Sequence, residues 1–306
     1  MSTASTGIVL RIDARVCYVQ VDGVEHVLPL RGRIIEDADP GVPPLAVGDR
    51  VRVQLEKSGG GVVEERLPRE TKLARTRGAE GREHVIAANV SLALVVSAAA
   101  TPAFQPGLVD RILAGVEEAG IVGVLAITKV DLDTRGARHE WVELYRGLGY
   151  EVFETSVHGE QPSEAALERL QALLRQNVTV LSGASGVGKS SLINALCPGL
   201  SLRVGDITKM RLGRHTTTRT ELLALDGGGY VLDTPGVRGF GLFAEAQAVQ
   251  FAFREIAPLV GECGYRNCQH LQEPDCAVLA AVERGDIHES RYRSYREIIG
   301  ELLARG

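Results

Sequence analysis

The chain has 306 residues, 44% hydrophobic and 24% charged, with a formal net charge of −5. That length exceeds one compact core and predicts two or three domains, while the acidic balance excludes a protein that coats nucleic acid indiscriminately and confines any RNA contact to local basic patches. No run reaches the roughly twenty uncharged apolar residues of a membrane span, and the start, Met1-Ser2-Thr3-Ala4-Ser5-Thr6-Gly7, has neither a basic region nor an apolar core, so a cytoplasmic protein without signal peptide or membrane partner is expected.

The first segment reads as short strands. Gly7-Ile8-Val9-Leu10-Arg11-Ile12, Val16-Cys17-Tyr18-Val19-Gln20-Val21, Val24-Glu25-His26-Val27-Leu28 and Arg50-Val51-Arg52-Val53-Gln54-Leu55 alternate or are β-branched, and Asp22-Gly23 is a hairpin signal. Short strands at this density over about sixty residues suit a small barrel, with an oligonucleotide-binding (OB) barrel over residues 1–68 as first choice and a barrel without any RNA role as the alternative. Residues 66–82, rich in Arg and Lys and punctuated by Pro68, Gly78 and Gly81, read as a connection: a solvated linker, or a local phosphate-backbone contact.

From Asn89 onward apolar strands alternate with amphipathic helices. Strands are expected at 90–97, 121–127, 151–153 and 177–181, helices at 108–116, 140–147 and 164–176. That alternation predicts a doubly wound α/β domain over residues 69–242, with ligands at the carboxyl ends of its strands. At one such end stands Thr128-Lys129-Val130-Asp131. A carboxylate at Asp131 can accept from N1–H and the 2-amino group of guanine, donors that adenine does not present, with the Lys129 stem on the purine; the plainer reading is a surface turn. Ser156-Val157, after the next strand, resembles a short guanine-contacting loop.

Gly183-Ala184-Ser185-Gly186-Val187-Gly188-Lys189-Ser190-Ser191 follows a strand and opens a helix. Glycines let successive backbone N–H groups curl around a polyphosphate, Lys189 reaches the β and γ phosphates, and the Ser190 hydroxyl holds Mg²⁺. Next comes Arg214-His215-Thr216-Thr217-Thr218, where one threonine, Thr217 by preference, can complete Mg²⁺ coordination. A strand then runs into Asp233-Thr234-Pro235-Gly236, a carboxylate for Mg²⁺ and a glycine N–H for the γ-phosphate. The guanine-type motif precedes the phosphate loop, the reverse of the usual order, which is what a circular permutation of a GTPase sheet produces.

Of the five cysteines, Cys17 and Cys197 stand apart, while Cys263, Cys268 and Cys276 crowd around His270. Three thiolates and an imidazole within so short a segment predict a closed, structural Zn²⁺ site, against buried reduced cysteines beside an unrelated histidine. The segment from 243 to 306 is expected to be a small helical domain stapled by that metal. Its Arg284, Arg291, Arg293 and Arg296, offset by Glu283, Glu289 and Glu297, read as a solvated face of the last helix.

This combination resembles the circularly permuted GTPases that mature the small ribosomal subunit, the ribosome small subunit-dependent GTPase A family, over nearly the whole chain. The resemblance implies an OB-fold barrel touching 16S rRNA, GTP hydrolysis to GDP stimulated by the 30S subunit, a role in late 30S assembly, and His215 as the group that assists the attacking water, with a ribosome contact or loop packing as the alternative for that histidine. The alternative is an RNA-binding assembly scaffold with a vestigial nucleotide site. A monomer is expected. Two positions stand out. The family usually has Asn where Thr128 stands, so a weaker brace between the guanine and phosphate loops is expected, and Val237, not glutamine, follows Gly236, which implies slow intrinsic hydrolysis.

Overall fold

The computed structural model describes residues 3–13, 16–32, 34, 43–56, 60–77, 82–157, 163–200, 220–233 and 246–304. The N-terminal strands are β1 (Thr3–Asp13), β2 (Val16–Val21), β3 (Val24–Pro29), β4 (Arg50–Leu55) and β5 (Gly61–Arg66), in one antiparallel sheet of order β3-β2-β1-β4-β5. The sheet curls because Leu30, just past β3, bridges Val63 of β5, and the Arg31 N–H donates to the Val63 carbonyl at 3.0 Å. Alternation puts Cys17, Val19 and Val21 of β2 and Val51 and Val53 of β4 inside, with Val9, Leu28, Leu45 and Val63. Asp22 and Gly23 both have positive φ (49° and 81°), the two-residue hairpin conformation that an Asp-Gly pair supplies.

The basic segment after the barrel is not a plain connection. It forms a hairpin, β6 (Lys72–Arg77) against β7 (Arg82–Ala88), with Leu73, Ala74, Ala87 and Ala88 buried. Arg69 is also taken up structurally. Its guanidinium donates to both oxygens of the fully buried Asp49 (2.6 and 2.8 Å), whose Oδ2 also accepts from the Ala46 N–H. Asn89 joins the same corner, donating to the Gly48 carbonyl and accepting from the Glu70 N–H.

The remaining strands are β8 (Leu92–Ala98), β9 (Val122–Thr128), β10 (Glu151–Glu154), β11 (Val178–Ser182), β12 (Glu221–Ala224) and β13 (Tyr230–Asp233), in a sheet of order β10-β9-β8-β11-β13-β12. β9 and β10 pair parallel, as do β11 and β13, whereas β12 is an antiparallel edge. β8 is buried along its whole length, which is why its sequence is apolar at every position but Ser97. The helices are α1 (Pro106–Glu118), α2 (Arg138–Gly147), α3 (Glu164–Gln176), α4 (Lys189–Leu196), α5 (Ala246–Val249), α6 (Ala277–Arg284) and α7 (Glu289–Leu303). α1 begins with Pro at its first turn, where the missing N–H costs nothing. The edge strand β12 was not expected from sequence.

Two compact units form. One comprises Met1–Leu92, Gln171–Val180 and Cys197–Val237, the other Ala93–Leu170, Leu181–Leu196 and Arg238–Gly306. In the first, the barrel meets the β12–β13 edge through the Arg11–Glu221 pair (3.5 Å) and a bond from the Tyr230 hydroxyl to Gln20 Oε1. In the second, the C-terminal helices share a core of Phe253, Ile256, Val278, Tyr295, Ile298 and Ile299 that also includes Ala114 of α1. The C-terminal helices supply nearly all of that core, and α1 adds Ala114 to it.

Candidate functional site

Strand β11 delivers the chain to Gly183, and α4 takes it away from Gly188. The three glycines of this loop have φ of 146°, 80° and 96° at 183, 186 and 188, values that L side chains rarely adopt. A Cβ at Gly183 would also run into the Val96 carbonyl of β8. Lys189, at the first position of α4, donates its ammonium to the carbonyls of Gly183 (2.9 Å) and Ala184 (2.6 Å). Val187 is buried and anchors the loop, Ser185 and Gly186 are exposed, and Ser190 and Ser191 sit in the first turn of α4. A loop of this kind at a helix N-terminus is built to receive an anion.

The strand end at Thr128 lies against that loop. Thr128 is buried, and its hydroxyl donates to the Val187 carbonyl (2.5 Å), with the Ser97 carbonyl farther off at 3.3 Å. Lys129, in the left-handed conformation (φ 56°), extends its ammonium to the carbonyls of Thr101 (2.5 Å) and Gly186 (2.7 Å). Val130 and Asp131 then form a single 3-10 turn that closes at Leu132. The Asp131 carboxylate is exposed, and its Oδ1 accepts from the buried Ser156 hydroxyl at 2.6 Å. Val157 follows, half-buried. Thr128 and Lys129 thus bond to the phosphate loop, while Asp131, two residues on, pairs with Ser156. Oriented by Ser156, the exposed Asp131 offers acceptors toward solvent.

Asp233 closes β13 at its carboxyl end, opposite Glu221 of the edge strand. His215, Thr217 and Gly236 lie outside the described residues, as do their neighbours Thr216, Thr218 and Val237.

Cys263, Cys268, His270 and Cys276 converge, their ligand atoms all within 4.8 Å of one another. His270 Nδ1 is 3.5 Å from Cys263 Sγ and 3.4 Å from Cys276 Sγ, and the two sulfurs are 4.0 Å apart. Tetrahedral bonds of about 2.3 Å to sulfur and about 2.0 Å to nitrogen require edges of roughly 3.5 and 3.8 Å, so the four side chains fit one metal ion. The ring is oriented for it. Gln250 Oε1 accepts from Nε2 at 2.8 Å, which leaves the Nδ1 lone pair facing the sulfurs. Burial pushes the Cys268 thiol up to about 12 and raises Cys276, and it holds the His270 ring low and neutral. Only a cation would draw thiolates from such a place.

Residues that sequence reasoning missed hold this loop. The Glu273 carboxylate accepts the N–H groups of Gln269, Leu271 and Gln272 at 2.8 to 3.0 Å. Burial alone would raise its pKa, but those bonds outweigh it and set the value at about 2. Tyr292 and Tyr295, one turn apart on α7, donate to the carbonyls of His270 (2.8 Å) and Gln269 (2.9 Å). The motif spacing carried no sign of them, although an acid between the third and fourth metal ligands was a possible cue.

The reading of Arg284 and Arg291 as one solvated face is corrected. Arg284 ends α6, and Arg291 is 1% exposed. Its guanidinium donates to Asp110 of α1 (2.6 Å) and to both Glu255 oxygens (2.6 and 3.2 Å). Asp110 also accepts from the hydroxyls of Tyr145 on α2 and Ser294 on α7, each at 2.6 Å. Burial would lower the pKa of Arg291, but the two carboxylates more than offset it.

Comparison with known proteins assigns this arrangement to a family. The family model described as RsgA GTPase matches residues 66–243. The chain is 42% identical to the small ribosomal subunit biogenesis GTPase RsgA of Chromohalobacter salexigens, over 85% of this chain and 76% of that protein. It is 38% identical to the protein of the same name from Gemmatimonas aurantiaca, over all of both chains. Among solved structures, YjeQ from Thermotoga maritima superposes with a TM-score of 0.81 at 31% identity, over 99% of this chain and 100% of that one. The structure titled YloQ, a circularly permuted GTPase, superposes with a TM-score of 0.76 at 31% identity, over 99% and 96%. The chain belongs to the RsgA GTPase family, GTP hydrolases built on a circularly permuted sheet, here flanked by an N-terminal barrel and a C-terminal Cys3His metal module.

Proposed function

We propose that this GTPase acts in the biogenesis of the small ribosomal subunit: it binds the immature 30S subunit through 16S rRNA in the GTP state, hydrolyses GTP when the subunit orders its switch residues, and leaves. One observation carries the nucleotide part of this reading, the bonding of Thr128 and Lys129 onto the phosphate loop beside the Asp131–Ser156 pair. The names of the relatives support the ribosomal part. Asp131 selects guanine. The loop amides with Lys189 hold the phosphates, while Ser190, Thr217 and, through a water, Asp233 are the residues that would hold Mg²⁺, which when bound neutralises the charge developing on the β and γ phosphates. The Gly236 N–H senses the γ-phosphate.

With Val237 in place of a water-positioning glutamine, intrinsic hydrolysis is slow, and His215 assists the water once the subunit fixes it. The four ligands of the C-terminal site are three sulfurs and one imidazole, a set that selects structural Zn²⁺. We assign the barrel to residues 1–68, the GTPase domain to 69–242 and the metal domain to 243–306, in a cytoplasmic monomer. Among the described residues no helix is long and apolar enough to cross a membrane.

The test is GTP turnover with and without purified 30S subunits in Mg²⁺. Stimulation of at least tenfold, lost in Lys189→Ala and reduced in His215→Ala, is expected. No hydrolysis even with subunits would favour an RNA-binding scaffold with a vestigial site, and full stimulation in His215→Ala would remove the role given to that histidine.

A further inference from the structure

The open end of the β12–β13 hairpin carries two acidic positions. The strands are joined by the turn at Leu225–Gly229, and in their antiparallel register Glu221 stands directly opposite Asp233. Opposite residues in such a pair share a face of the sheet with their Cβ atoms about 5 Å apart, and like charges placed there are destabilising. Leu222 opposite Leu232, the next pair inward, is buried, so the acidic pair is the last one before the strands part. The segment that carries Thr217 leads into β12 at this end, and from it the chain leaves β13 toward Gly236.

The compensating charge comes from the barrel. Arg11 Nη1 lies 3.5 Å from Glu221 Oε1, whereas its Nε lies 3.9 Å from Asp13. Tyr18, the cross-strand neighbour of Arg11 on β2, fixes the guanidinium from below, with its ring centroid 3.7 Å away. The Arg11 and Glu221 side chains are 30% and 39% exposed, so the pair adds little to stability. What it changes is the charge at that end of the hairpin. A second contact, from the Tyr230 hydroxyl to Gln20, ties the barrel to the turn end of the same hairpin and carries no charge.

We propose that Arg11 is a positioning residue for the Mg²⁺ end of the nucleotide site: by pairing with Glu221 it cancels the charge opposite Asp233, so that this end presents one carboxylate instead of two. This rests on the reading of Asp233 as the residue that holds Mg²⁺ through a water. It goes further by placing one determinant of Mg²⁺ affinity in the barrel.

The test is the Mg²⁺ concentration that half-maximally retains N-methylanthraniloyl-GDP on the full chain, with the thermal unfolding midpoint recorded for each variant. At low ionic strength, Arg11→Met leaves Glu221 uncompensated and should lower that concentration roughly threefold. Glu221→Gln leaves Arg11 unopposed and should raise it by about the same factor. The double variant and Arg11→Lys should stay close to the wild type. Both shifts should fade at about 1 M salt, where the screening length is roughly 3 Å. Tyr230→Phe, which loosens the same docking without altering charge, should leave the Mg²⁺ dependence unchanged. If Arg11→Met does not fold, Glu221→Gln and its salt dependence carry the comparison.

Shifts of the same sign in the two single variants, no recovery in the double variant, or an equal shift in Tyr230→Phe would assign the effect to barrel docking and overturn the inference. Unshifted single variants would overturn it too. A wild type whose nucleotide retention does not depend on Mg²⁺ would instead overturn the reading of Asp233, and this inference with it.

Discussion

Replacing Arg291 by Met tests the joint between α1 and the C-terminal helices. The guanidinium holds Asp110 at 2.6 Å and Glu255 at 2.6 and 3.2 Å, with side-chain exposures of 1%, 0% and 8% for the three residues, so neither carboxylate has water to turn to. Removing one partner of a buried pair costs about 3–5 kcal/mol. Asp110 would keep the hydroxyls of Tyr145 and Ser294, whereas Glu255 would lose both bonds to the guanidinium. Phe253 would also lose the cation over its ring, 4.6 Å from the centroid. We expect a loss of about 4 kcal/mol, a large share of the roughly 5–15 kcal/mol that a folded domain has.

The assay is urea unfolding followed by tryptophan fluorescence, because the one tryptophan, Trp141, stacks on Phe104 at 5.2 Å and meets His288 edge-on at 6.2 Å, beside this network. The midpoint should fall by about 1 M or more. A triple variant, Asp110→Asn with Glu255→Met and Arg291→Met, strands no charge, keeps an acceptor for the Tyr145 hydroxyl and should recover most of the loss. A single variant within about 1 kcal/mol of the wild type, or a triple variant no better than the single, would refute the claim that the network is a desolvated electrostatic joint.

Glu273→Gln should weaken the metal loop in a pH-dependent way. The folded pKa, about 2, lies below the ordinary 4.5, so the wild-type advantage is complete above about pH 4.5 and disappears as the pH falls toward 2. It is read as the difference in unfolding free energy between wild type and variant across that range; a flat difference would contradict it. Metal analysis should find about one zinc per chain, and a strong chelator should lower the unfolding midpoint and abolish the near-ultraviolet signal of Tyr292 and Tyr295, which bond the metal loop. A metal-free chain with unchanged unfolding would remove the structural role.

What could be read from sequence was what local periodicity or spacing encodes. The α/β alternation was legible because β8 and β9 are apolar runs and α3 has a clear helical stripe; the phosphate loop was legible because its glycines, lysine and serine act within nine positions. Features made by distant partners were not. Asp110 and Arg291 are 181 positions apart, and an arginine between glutamates looks solvated until its partner is known. The β6–β7 hairpin was hidden because charged residues alternate along it and read as a linker, although Leu73 and Ala87 are buried. Thr128 was legible as a departure from the family pattern, yet its bond to Val187 depends on strand β9 ending beside the loop, which only the fold sets.

The central claim is that the strand-end motif laid on the phosphate loop reads guanine. Equilibrium competition against fluorescent GDP measures this most directly, with GTP, ATP and xanthosine triphosphate as competitors for the wild type and Asp131→Asn. Xanthine carries a carbonyl where guanine carries its 2-amino group, so the variant's amide N–H can match the first and not the second. GTP should displace the probe from the wild type at least a hundredfold more effectively than ATP, and Asp131→Asn should shift the preference toward xanthosine triphosphate. Equal displacement by ATP and GTP, or an unchanged preference in Asp131→Asn, would contradict the account.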